Sequence, residues 1–205
     1  MDANPSETHF NIRKITKSRK IKRSPAKYYG VANMRTVTHI SPMIVFDKMQ
    51  QGYAYEYDAP MGRHFASDFK PELTPQEILK HGVFEGHYMT DCQNEFPTAW
   101  FQEAKLSPAA PNIQQNCFKV KSRMSLPQWR ERGWIIGPDP RGWFQWYCRY
   151  YMGRRLPEID AIQIKRWRAF RRHLVQVERN CAPLDLDCRP RQRQALLQWA
   201  YNPFF

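Results

Sequence analysis

The chain has 205 residues, a formal net charge of +13, 14% aromatic residues and a mean hydropathy of −0.73. That length suits one domain with an appended arm, and the aromatic content supplies a core at this size. No apolar run is long enough to span a bilayer and the start, MDANPSETHF, is too polar for a signal peptide, so a protein of the cytoplasm or nucleus with no membrane partner is expected.

The charge is unevenly spread. Residues 1–35 hold 9 basic and 2 acidic side chains (+7), residues 36–120 hold 6 and 10 (−4), and residues 121–205 hold 17 and 7 (+10). A basic arm and a basic C-terminal half around an acidic middle suit a polyanion, DNA or RNA being the commonest. The bland alternative is a basic protein with no such partner.

The five cysteines are odd in number and form no CxxC pair, which argues against a secreted disulfide framework and a zinc site. Cys181 and Cys188 close a loop short enough to be bridged, but free thiols are expected. No P-loop, dinucleotide-binding glycine pattern, HExxH, GxSxG or zinc-deaminase string occurs, so neither a metal nor a cofactor is expected.

In chain order, residues 1–35 read as a flexible arm. Arg13, Lys14, Lys17, Arg19, Lys20, Lys22 and Arg23 place seven cations in eleven positions, a density that repels itself until a polyanion screens it. Residues 36–70 read as an extended or β wrap, with a short strand near Ile44–Phe46 and a hairpin or irregular segment from Gly52. Residues 74–205 read as helices, making the domain (36–205) mainly α. Thr74-Pro75-Gln76-Glu77 and Ser125-Leu126-Pro127-Gln128 are capping-box starts, and Asp139-Pro140 predicts a third N-terminus for a helix from Arg141 to Met152.

On that helix a 100° step puts Trp143, Phe144, Trp146, Tyr147, Tyr150 and Tyr151 on one broad face, with Arg141, Gln145 and Arg149 behind. The aromatic face is read as core; a base-stacking platform ranks below it, since exposed tryptophans are costly. Gly153 ends this helix and Pro157 begins the next. There Ile159, Ile162, Phe170, Leu174 and Val177 form an apolar stripe with Trp167 at its edge, while Lys165, Arg168, Arg171, Arg172 and Arg179 gather opposite. Arg191 and Arg193 open the last helix.

Gln163 and Arg166 project into the apolar stripe. A buried guanidinium needs a partner, so either an acidic group of the middle segment pairs with Arg166 or the two line a pocket with Arg141, Arg154 and Arg155. Asp91, Glu95, Cys92 and His87 are the candidate catalytic groups, the carboxylates as acid or base and Cys92 as a nucleophile beside His87 or His81.

The strings GVFEGHYMTDCQNEFPTAWF (Gly82–Phe101), DPRGWFQWYCRYYMGRR (Asp139–Arg155) and QIKRW (Gln163–Trp167) resemble a helical family common in fungi and present in algae and bacteria. The likeness spans roughly Pro75 to Tyr201. It implies that DPRGW, GRR and QIKRW belong to one unit; it brings no activity with it and assigns no catalytic residue.

The resulting expectation is a nucleic-acid-binding protein that contacts phosphates through the arm and the arginine-rich helix. Two alternatives stand beside it. One is an enzyme acting on nucleic acid or another anionic substrate by carboxylate acid–base chemistry. The other is a structural subunit of a ribonucleoprotein or viral assembly.

Overall fold

The structure is a computed structural model that describes residues 41–205; the basic arm, with its cations from Arg13 to Arg23, lies outside the described residues. The described chain opens with β1 (Met43–Phe46) paired antiparallel to β2 (Gln51–Tyr55). Asp47 makes the turn between them, its Oδ1 accepting from the amides of Met49 and Gln50 at 2.6 and 2.9 Å. Alternation follows the strand period: Val45 is buried while its neighbours Ile44 and Phe46 are exposed.

The rest is helical. Helix α1 (Pro75–His81) starts on the Thr74 capping box, with Thr74 Oγ1 accepting from Glu77 N and Glu77 Oε2 accepting from Thr74 N, and stops at Gly82. Helix α2 (Ala99–Gln102) is one turn long and follows the single turns Phe84–Gly86 and Gln93–Glu95. Helix α3 (Leu126–Glu131) carries the second capping box, from Ser125 and Gln128. Helices α4 (Trp143–Met152), α5 (Pro157–Asn180) and α6 (Pro190–Gln198) complete the set.

One helix start and one helix face differ from expectation. Helix α4 begins at Trp143 behind Gly142, and Asp139 is not its N-cap. Two arginines draw the Asp139 carboxylate inward instead, as described below. On α5 the buried residues are Asp160, Gln163, Ile164, Trp167 and Val177, with Phe170 and Leu174 half-buried. Ile162 is 45% exposed, so the inward stripe is turned away from it toward Gln163 and Trp167.

The aromatic face of α4 is the core. Phe69, from the wrap, sits among Trp146, Tyr147, Tyr150 and Trp167 with ring centroids 4.9–5.8 Å away. Each such edge-to-face pair adds about 0.5–1.5 kcal/mol beyond its buried area. Trp167 also stacks on Tyr201 at 4.9 Å, fixing α5 to the segment after α6. At the end of α4, Gly153 has φ +118 and its carbonyl accepts from the amides of Asp58 and Ala59 at 2.9 and 3.2 Å. A Cβ there would strike the Ala59 carbonyl, so the wrap can lie against the helix end only over glycine.

Cys181 and Cys188 are joined as a disulfide across the α5–α6 loop, correcting the expectation of free thiols. The loop brings their Cα atoms to 5.7 Å, within bridging range. Among the described residues no helix is long and apolar enough to cross a membrane.

Candidate nucleic-acid interface

The candidate acid–base groups lie where the back of α4 meets the hairpin. Arg149 is fully buried and donates to both oxygens of Glu95 (2.5 and 2.9 Å), to Asp139 Oδ1 (2.9 Å) and to Gln50 Oε1 (2.7 Å). Arg154 donates to both oxygens of Asp139 at 2.9 and 2.7 Å, and Arg141 to Asp47 and Asp91 at 2.9 and 3.0 Å. Burial works against the Arg149 and Arg141 charges, but the facing carboxylates overcome it and raise both pKa values. Tyr55 Oη donates to Glu95 at 3.1 Å, and burial beside that carboxylate raises its pKa.

This is a closed structural lattice. Glu95 has both oxygens occupied by Arg149 and is 5% exposed. Asp91 is engaged by Arg141 rather than by Arg166. Burial pushes the Cys92 thiol up to about 12, so it is not a thiolate at neutral pH, and its Sγ lies 3.7 Å from the Met89 carbonyl. His87 places Nδ1 3.1 Å from the Ser107 carbonyl oxygen, and His81 packs on the Phe204 ring. Among the described residues no group of three or more His, Cys, Asp or Glu is placed to hold a metal ion.

The pocket candidates separate. Arg141 and Arg154 belong to the lattice. Arg155 lies over the Tyr150 ring at 3.9 Å and donates to the carbonyls of Tyr150, Arg154, Arg63 and His64. Gln163 is fully buried, with its Oε1 3.4 Å from Arg166 Nη1. Arg166 lines a cavity, and among the described residues no carboxylate meets it; it donates to the Trp134 and Gly133 carbonyls at 2.7 and 3.4 Å.

That cavity is a groove of about 600 Å³ between α3, α5 and α6, within the usual range for small-ligand sites. A column of rings runs along it: Trp143 on Trp199 (4.6 Å), Trp199 on Phe170 (4.4 Å) and Phe170 on His173 (4.5 Å). Trp129 and Trp134 face it from the α3 side, and Trp134 is 48% exposed. Among the described residues its cations are Arg123, Arg166 and Arg172, and no Asp or Glu lines it. Arg123 is neutralised by Glu85 at 2.5 Å, which leaves Arg166 and Arg172 as its uncompensated charges among the described residues. Chain order hid this site, because its rings come from four separate stretches.

The outward side of α5 adjoins the groove. Lys165, Arg168, Arg171, Arg172 and Arg179 are all exposed. Lys165, Arg168, Arg172 and Arg179 fall within about 60° on a helical projection. Arg168 pairs with Asp68 at 2.9 Å; the others have no carboxylate partner among the described residues. Arg171 borders a second cavity of about 440 Å³, where Asp68 and Glu72 offset Lys70 and Arg168. Of the α6 cations, Arg191 is exposed, whereas Arg193 is fully buried and donates to the carbonyls of Cys188, Asp185, Pro203 and Phe205. Arg193 therefore offers no free donor to a phosphate.

No protein-family model, curated protein or solved structure matches the chain.

Proposed function

We propose that the protein binds nucleic acid through its phosphates, with the outward side of α5 as the docking surface. The observation that supports this reading most is the exposure of Lys165, Arg172 and Arg179 on that side, with Arg171 exposed about 60° beyond Arg168 at its edge, and no described carboxylate bonded to any of the four. From Lys165 to Arg179 the helix runs about 21 Å, enough to face several phosphates. Such a face binds by charge and leaves bases unread. The lattice around Arg149 takes Glu95 out of reach as an acid or base, since both its oxygens are bonded to a guanidinium, whereas Asp91 is exposed with only Oδ2 bonded, to Arg141.

The test is a salt titration of the full chain with a fluorescent single-stranded oligonucleotide, beside a variant carrying Lys165→Gln, Arg171→Gln, Arg172→Gln and Arg179→Gln. Binding should weaken steeply with salt, and the variant should lose about 0.7 of log–log slope for each contact removed. All four sites are exposed, so the fold survives the change. Binding that is absent, or indifferent to salt, overturns the proposal.

A further inference from the structure

The groove beside α5 has features that phosphate binding alone does not need. Its column of Trp143, Trp199, Phe170 and His173 rings, whose faces largely cover one another, forms an apolar wall, and Trp134 stands half in solvent at its mouth. The Arg132 guanidinium lies 5.9 Å from the Trp134 ring centroid, and about half of that residue is open to solvent. The charges state what kind of occupant fits. Arg166 and Arg172 border the rings, no carboxylate among the described residues does, and Arg172 also belongs to the cationic stripe of α5.

Planar rings beside unpaired guanidiniums match a planar aromatic group joined to an anion. Resting on the phosphate-binding reading above, we propose that the groove takes an unstacked base of single-stranded DNA or RNA. The base stacks on the exposed Trp134 ring, and its flanking phosphates meet Arg166 and Arg172. A duplex cannot supply such a base without unpairing it. The chain's own N-terminal arm is a poor occupant, because seven cations between Arg13 and Arg23 would enter a groove that is already positive.

Trp134 separates this inference from the function it rests on. It lies off α5, and it is exposed enough to be replaced without opening the core. The experiment measures anisotropy of the full chain with a labelled single strand of about 12 nucleotides, a length that covers one binding site. A duplex of the same length and poly-glutamate serve as competitors. Trp134→Ala should weaken the single strand roughly tenfold, the loss of one stacked base, and leave the duplex unchanged. Trp134→Phe should restore most of the loss, and bound single strand should quench tryptophan fluorescence in the wild type but less in Trp134→Ala.

A duplex or poly-glutamate that competes as well as the single strand overturns the inference, as does a Trp134→Ala protein that binds like the wild type. In those cases salt-dependent binding still carries the phosphate reading. If no nucleic acid binds the wild type, both fall.

Discussion

Arg149 and Glu95, 54 residues apart, meet by two hydrogen bonds of 2.5 and 2.9 Å, and neither side chain is more than 3% exposed. The pair joins the back of α4 to the turn before α2, and through Gln50 and Asp139 it reaches the hairpin and the entry to α4. Removing one partner of a buried pair leaves a charge without compensation, which costs about 3–5 kcal/mol. Glu95→Gln should therefore lower Tm by about 10 °C for a chain of this size. Calorimetry reads the outcome. A variant with wild-type Tm would show the lattice to be dispensable and return Glu95 to the list of candidate acid–base groups.

Arg193 does a different job with the same chemistry. Its five N–H groups take up the carbonyls of Cys188, Asp185, Pro203 and Phe205, and the guanidinium lies over the Phe205 ring at 5.1 Å. It thus fastens both the α5–α6 loop and the segment after α6. Lysine has three donors and no planar fork, so Arg193→Lys should cost about 2–3 kcal/mol. Hydrogen exchange should show the loss of protection concentrated near residues 199–205, with the β1–β2 hairpin unaffected.

The free cysteines differ in reach. Burial raises the pKa of all three, Cys92 to about 12 and Cys148 well above its ordinary value, while Cys117 is half-buried. A thiol reagent at mildly alkaline pH should modify Cys117 first and reach Cys92 and Cys148 only when the protein unfolds. Rapid labelling of Cys92 in the native state would revive it as a nucleophile.

Local rules made much of the fold legible in the sequence. The Thr74 and Ser125 capping boxes, the Gly153 stop and the Pro157 start are short-range features, and each stands where it was read. The aromatic face of α4 was legible for the same reason, since a 3.6-residue period needs no partner to be seen. The back of α4 was not. A helical projection sends Arg141 and Arg149 away from the core without saying what covers them, and the covering carboxylates Asp47, Asp91 and Glu95 lie 94, 50 and 54 residues away. Asp139 had the spacing of an N-cap, yet two buried guanidiniums hold it more strongly than one helix end does. The groove was illegible because Trp129, Trp134, Trp143, Phe170 and Trp199 share a site only after α3, α5 and α6 have packed.

His173 should make the groove sensitive to pH, with opposite signs for stability and for the proposed binding. Burial, aided by Arg172, lowers its pKa below the ordinary 6.5, and burial with Lys105 does the same to His81. A histidine whose folded pKa is depressed takes up its proton more readily in the unfolded chain. Its contribution to stability is therefore present above 6.5 and lost as pH falls through the folded value. A phosphate bound there as proposed would reverse the balance at His173, because Arg123, Arg166 and Arg172 are the other charged groups lining the groove among the described residues and a new anion favours the imidazolium. Between about pH 7.5 and 5.5, single-strand affinity at fixed salt should rise while the Tm of the free protein falls. His173→Gln should abolish the rise in affinity but flatten only part of the fall in Tm, since His81 continues to titrate. Affinity unchanged over that range in the wild type would place the bound phosphates away from His173, along the Lys165 end of α5.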